Sequence, residues 1–344
     1  MLPAAQPLQG IRGQMTTPHT ARPSGIATAR LLAAILAMSL AVLGVTAAAA
    51  APAAAPAAAG TVKESGHSIA GPGGNLYVEI RGQAPGVPLF MVNGGPGFAH
   101  NYVHCSNAWD EIAKRRRVVF YDQRGVGRSA PLKSGQSCTL ADQIADLEAV
   151  RASVGADKID LLGHSWGGYL VMAYTACYPQ HIRHLMIVDS AAPKWDDTVF
   201  LFKDVFPEAI ERQNALGFAE ALGDSAAYAE DIHEYLQLLF LSQDNRDRYM
   251  AHASEYTGYS RNVNEVLNAD LKRFDLNPEL PKFKCPTMVM CGRYDMNVAP
   301  SVAWKIHLAI PNSQFVVFEK SGHLPYFEEP DKFTQTVEDF LGAP

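Results

Sequence analysis

The stretch Leu161-Leu162-Gly163-His164-Ser165-Trp166-Gly167-Gly168 constrains this chain more than any other. The run Ile159-Asp160-Leu161-Leu162 reads as a buried strand, and residues 169–174 open a helical pattern. Between them Gly-x-Ser-x-Gly makes a turn so sharp that the serine must take a strained conformation with its hydroxyl pointing outward. The glycines two residues before and two after remove Cβ atoms where strand and helix crowd together. Ser165 then sits at a helix N-terminus, whose free N–H groups and positive dipole end favour a developing oxyanion. The same letters also suit a serine that merely caps a buried helix. The rest of the chain therefore has to supply an acid, a base and a second oxyanion donor.

The surrounding rhythm is one of short apolar strands alternating with helices. Strands are expected at residues 76–80, 88–92, 118–121 and 185–188, with a helix over 140–154 carrying Ile144, Leu147, Val150 and Val154 on one face. From about Pro193 to Pro281 that rhythm stops, and helical stretches rich in aromatics take over. It resumes with strands at 287–291 and 315–318, a helix over 299–309 between them, and a last helix over 330–341. Such alternation predicts a mostly parallel central sheet covered by helices on both faces. The expected domains are a sheet domain over 61–192 and 282–344 and an inserted helical cap over 193–281.

In parallel sheets ligands bind at the carboxyl ends of the strands, and the polar motifs fall there. Asn93-Gly94-Gly95-Pro96-Gly97 ends the second strand. Asp122-Gln123-Arg124-Gly125-Val126-Gly127-Arg128-Ser129 ends the third. Asp295 follows the strand at 287–291, and His323 follows the last one. A serine hydroxyl is a poor nucleophile until a base takes its proton, and imidazole can do so near neutral pH. A carboxylate then fixes the imidazole tautomer and stabilises the imidazolium. The chain order Ser165, Asp295, His323 supplies all three, with Asp122 as a second candidate acid. His164 and His181 lie too near the turn in sequence to face Ser165. The N–H groups of Trp166 and Gly95 are the expected oxyanion donors, each contributing roughly 3 kcal/mol in the transition state.

Gly-Gly-Pro-Gly after a strand, then Asp122-Gln123-Arg124-Gly125-x-Gly127-x-Ser129, then Gly163-His164-Ser165-Trp166-Gly167-Gly168 together resemble the prolyl aminopeptidase (proline iminopeptidase) branch of the α/β-hydrolases. The resemblance spans about 61–190 and 282–341. It implies the α/β-hydrolase fold with an inserted helical cap and a serine hydrolase that releases N-terminal proline, or another small residue, through an acyl-enzyme. The chain departs from the family twice. Asn93 stands where the family usually has histidine, and asparagine can keep a loop-bracing hydrogen bond. Family aminopeptidases hold the substrate amine with cap glutamates in tryptophan-flanked segments that have no match here. Glu208, Glu211, Glu230 and Glu234 are the acidic cap residues that would serve, and their helical spacing equally suits a solvated face. Two alternatives to the aminopeptidase remain: an esterase or amide hydrolase acting on a small apolar acyl group, and a non-catalytic binding protein on the same fold.

Composition narrows the partners. A formal charge of -6 with no basic patch gives nucleic acid nothing to bind. There is no Cys-x-x-Cys or His-Glu-x-x-His, so neither metal nor cofactor is implied, and the substrate is expected to be a small peptide, ester or amide. Arg22 and Arg30 precede the apolar residues 31–43 and then a run of alanines, the pattern of a cleaved export signal, with residues 51–60 as a flexible tether and Met15 as a second possible start. The competing reading is an uncleaved anchor, since residues 31–51 are nearly long enough to span a bilayer. Export permits disulfides. Of the five cysteines, Cys105 and Cys138 lie in polar surroundings and are the better pair; Cys177, Cys285 and Cys291 read as buried thiols.

Overall fold

The computed structural model describes residues 64–221, 225–252 and 258–342. The expected signal, tether and anchor segments lie outside them. Eight strands form one sheet: β1 (Glu64–Gly71), β2 (Gly74–Arg81), β3 (Leu89–Val92), β4 (Val118–Tyr121), β5 (Ile159–His164), β6 (Ile182–Val188), β7 (Thr287–Gly292) and β8 (Gln314–Phe318). Their order is β1-β2-β4-β3-β5-β6-β7-β8. The pairs β1–β2 and β2–β4 are antiparallel, and every later pair is parallel. The central strands β3, β4, β5 and β7 are buried along their whole length, as a sheet covered on both faces requires.

Side chains alternate between two cores. On one face α2 (Leu140–Ser153), α3 (Trp166–Cys177) and α9 (Pro300–Ala309) cover Val119, Leu161, Ile187 and Val289. On the other, α1 (Ala108–Ala113), α10 (Pro325–Glu328) and α11 (Pro330–Leu341) cover Phe120, Leu162, Val188 and Met290. Start signals are local. Thr139 accepts from the backbone N–H of Asp142 while the Asp142 carboxylate accepts from that of Thr139, a capping box that begins α2. Arg116, fully buried, closes α11 onto the sheet through a two-pronged bond to Glu338 at 3.1 and 2.9 Å.

Between β6 and β7 the chain leaves the sheet for α4 (Phe202–Val205), α5 (Pro207–Ala221), α6 (Ser225–Gln237), α7 (Gln243–Met250) and α8 (Arg261–Leu271). Lys194 and Asp275 pair in a short antiparallel bridge where it departs and returns. Among the described residues no helix is long and apolar enough to cross a membrane. The expected Cys105–Cys138 disulfide is absent, and all five cysteines are free. Cys138 belongs to one core and Cys105 packs against the other, so the sheet separates them.

Candidate active site

Ser165 follows β5 with φ 58° and ψ −123°, a left-handed conformation that L-residues adopt only under constraint. Packing supplies the constraint. A Cβ on Gly163 would lie 2.3 Å from the Gly167 carbonyl oxygen, and one on Gly167 would lie 2.1 Å from that of Val92. Only glycine lets α3 start so close to β3 and β5. The Ser165 N–H donates to the Val188 carbonyl at 2.9 Å, and the residue is 8% exposed.

Trp166 is the first residue of α3, where a helix leaves N–H groups without an intrahelical acceptor. The opposing glycine loop brings Gly95 to the same cavities as Ser165. The Gly94 N–H is already taken by the Tyr102 hydroxyl at 2.7 Å, which leaves Gly95, at φ 133°, as the next donor. Asn93 braces this loop by donating to the carbonyls of Phe98 at 2.8 Å and Gly94 at 3.1 Å. Trp166 Nε1 donates to Gln123 at 2.9 Å and Gln123 donates to the Asn93 carbonyl at 3.0 Å, tying the sharp turn at residues 163–167, the elbow, to the glycine loop.

His323 is 2% exposed and lines one small space with Ser165, Gly95 and Tyr102. Its Nδ1 meets Asp295 Oδ2 at 2.7 Å. Asp295 is fully buried, and its Oδ1 accepts the N–H groups of Asn297 at 2.8 Å and Val298 at 2.9 Å. Three donors thus converge on this carboxylate and fix its orientation towards His323. The partner of His323 Nε2 is Asn297 Nδ2 at 2.9 Å, which also donates to the Tyr235 hydroxyl at 3.0 Å. An amide donor on Nε2 and a carboxylate on Nδ1 together specify the tautomer with its proton on Nδ1.

The other histidines and acids are engaged elsewhere. Asp122 takes His100 Nδ1 at 2.6 Å and its N–H at 2.9 Å, on the far side of the glycine loop. His164 links Tyr102 at 2.7 Å to the His323 carbonyl at 2.8 Å, and burial followed by the neighbouring His323 charge pushes it well below its ordinary value. It is a neutral strut between the elbow and the His323 loop. His181 lies at the surface against the Asp157 carbonyl.

A cavity of about 610 Å³ opens over Ser165 beneath the cap. Its walls are mainly apolar, with Phe98, Trp195, Phe202, Ile232 and Tyr259 among them. None of the four expected glutamates lines it. Glu208, Glu211 and Glu230 are exposed, and Glu234 pairs with Arg212 at 3.0 Å. The reason is helical phase: α5 turns Ile210 and Gln213 inward, and α6 turns Asp231, Ile232 and Tyr235 inward. Of the described lining residues Asp231 carries the only carboxylate, and it is shared by Gln213 and Arg261, each at 3.2 Å. Asp231 was legible as the acid beside Ile232 and one turn before Tyr235 on an apolar stripe. Asp189, beside Asp295, and Asn297 also escaped the sequence reading.

The α/β-hydrolase fold family matches residues 87–330. A proline iminopeptidase of Saccharolobus solfataricus is 32% identical over 280 residues, covering 78% of this chain and 89% of the relative. A proline iminopeptidase of Heyndrickxia coagulans is 29% identical, with 75% and 91% covered. Among solved structures, an α/β-fold hydrolase from Bacillus anthracis superposes with a TM-score of 0.66 at 24% identity, covering 80% and 99%. An esterase from Thermogutta terrifontis does so with 0.60 at 23%, covering 80% and 98%. Identities this low speak for the fold alone.

Proposed function

The chain is a serine hydrolase of the α/β-hydrolase family, in its proline iminopeptidase branch, and from that premise we propose that it is an exported aminopeptidase releasing N-terminal proline or another small residue. Ser165 Oγ attacks the scissile carbonyl as its proton passes to His323 Nε2, which exchanges Asn297 for the hydroxyl. Asp295 stabilises the imidazolium. The N–H groups of Trp166 and Gly95 receive the oxyanion. His323 then gives the proton to the departing amine, and water repeats the cycle on the acyl-enzyme. The observation that carries the reading is the buried His323, paired with Asp295 behind it, sharing one small space with the strained Ser165.

In this reading Asp231 replaces the expected glutamates as the anchor for the substrate ammonium. A second reading, an esterase or amide hydrolase, draws on two observations: that carboxylate is already shared with Arg261, and the remaining walls are mainly apolar. A fluorogenic panel of free and N-blocked prolyl amides and short-chain esters separates them. The aminopeptidase hydrolyses free prolyl amides and refuses blocked ones. Equal turnover of both, or esters far ahead of any prolyl amide, establishes the second reading instead.

Export rests on Arg22, Arg30 and the apolar residues after them. Cell fractionation with N-terminal sequencing tests it; an intact N-terminus on the cytoplasmic enzyme would refute it.

A further inference from the structure

Asp189 follows β6 directly, as Asp295 follows β7 by a few residues on the neighbouring strand. Its backbone sits at φ 44°, held by the N–H it donates to the Met290 carbonyl at 3.0 Å. The side chain is 1% exposed. One of its carboxyl oxygens, one of Asp295 and a ring nitrogen of His323 lie within 4.8 Å of one another. The two carboxyls differ in their partners. Asp295 receives three donors. Asp189 Oδ1 receives the Gly292 N–H at 2.8 Å, while Asp189 Oδ2 is buried with no donor to accept from. A bare carboxylate oxygen there, next to a second anion, would be costly. A proton on it turns the orphan acceptor into a donor facing Asp295.

We propose that Asp189 is a positioning residue of the catalytic site, a carboxylic acid that keeps its proton and donates it as a hydrogen bond from Oδ2 to Asp295. Burial first, and the Asp295 charge second, hold its carboxyl well above the usual range. The groups facing it agree. Cys291 at the end of β7 and Tyr326 on α10 are pushed up by burial and stay neutral. Glu328 on α10 is likewise pushed up, although it accepts N–H groups from Gly322, Leu241 and Ser242. His323 therefore sees one ionised carboxylate. Two would hold the imidazole protonated before substrate arrives and leave Nε2 no free lone pair to take the serine proton.

The kinetic consequence rests on the Ser165–His323–Asp295 assignment; the protonation itself does not. The test uses the full-length enzyme and the best substrate of the panel, with Asp189→Ala and Asp189→Asn. The alanine variant is expected to lose about tenfold in kcat, the worth of a hydrogen bond to a charged partner, with KM little moved. The asparagine variant, whose amide can donate to Asp295 and accept from Gly292, recovers most of that loss and keeps the acid limb of the kcat/KM profile in place. At neutral pH the infrared difference spectrum of wild type minus Asp189→Asn contains the carbonyl stretch of an unionised carboxyl. If asparagine moves the acid limb down by about one pH unit and that band is missing, Asp189 is ionised and the proposal falls. Alanine with wild-type kcat overturns the positioning role. If Asp189→Ala fails to fold, the asparagine profile and the band decide. The band needs no turnover, so its loss is distinguishable from failure of the triad assignment, which Ser165→Ala reports.

Discussion

Gly167→Ala places one methyl group where the elbow meets the oxyanion loop. The added Cβ would stand 2.1 Å from the Val92 carbonyl oxygen, 2.7 Å from that of Asn93 and 2.8 Å from the Val92 carbonyl carbon. Each is backbone at the end of β3, which β4 and β5 grip from either side. The strand cannot yield, so the start of α3 must retreat by about 1 Å to reach an ordinary contact. That retreat carries Ser165 and the Trp166 N–H away from Gly95, whose loop continues from β3. Misplacing reacting groups by about 1 Å costs about 100-fold, and losing one oxyanion donor costs about 100- to 1,000-fold. The expected outcome is a fall in kcat of at least about 100-fold, with roughly 1–3 kcal/mol of lost stability from overpacking. Steady-state kinetics and urea unfolding read the two effects. Gly217→Ala is the control, because a Cβ there meets nothing within 4 Å in the middle of α5. It should leave kcat alone and add up to about 1 kcal/mol through helix propensity. A Gly167→Ala enzyme with kcat within about threefold of wild type would refute the account of the elbow.

Ser165→Ala should lose on the order of 10⁴- to 10⁶-fold in kcat while still binding substrate, measured by active-site titration and direct binding. Asp231→Asn should raise KM for free prolyl amides and leave ester hydrolysis alone; equal effects on both would remove Asp231 as the amine anchor. Glu338→Ala removes the two-pronged partner of the buried Arg116, leaving it Asp160 at 3.8 Å and the Gly342 carbonyl, and should cost up to about 3 kcal/mol in urea unfolding. The polar cluster behind the glycine loop sets the pH range of stability. Burial and the Arg81 charge push His104 down to about 3, so below 6.5 the unfolded chain takes up a proton that the folded one refuses. Burial raises Glu79, but the bond to His100 and the charges of His104, His100 and Arg81 outweigh it and bring it to about 2, so its contribution, full above 4.5, fades towards that value. For His100 burial is outweighed by the bonds to Asp122 and Glu79, and its raised value makes a contribution that fades on the alkaline side. Stability should therefore rise from pH 3 to 6.5. His104→Gln should remove about one proton from the uptake on unfolding between pH 4.5 and 6; an identical slope would contradict the assignment.

Much of the sheet was readable because burial leaves a local trace. Apolar runs at 88–92, 118–121, 159–162 and 287–291 fall on β3, β4, β5 and β7, since strands buried on both faces admit little else. The edge strand β1 was missed. Its residues Ser65, Gly66, His67 and Ser68 are exposed and carry no apolar period. The cap was readable as helical but not in its rotation. α5 and α6 bear acids on several sides, and which side faces Ser165 depends on how each helix lies over the sheet.

The sequence by itself determined the chemistry on offer: a serine between glycines, an acid and a histidine at later strand ends, and a glycine loop to meet them. Such signals are local, because turn geometry and burial act on neighbours along the chain. Only the tertiary structure decided the pairings. It set Asp122 against His100, Asp295 against His323, Asp189 beside Asp295, and Asp231 rather than any glutamate in the cavity with Ser165. These partners lie 22 to 106 residues apart, and no period in the chain encodes which strand ends become neighbours. That follows from the strand order β4-β3-β5-β6-β7-β8, which separates Asp122 from His323 and places Asp189 and Asp295 on adjacent strands.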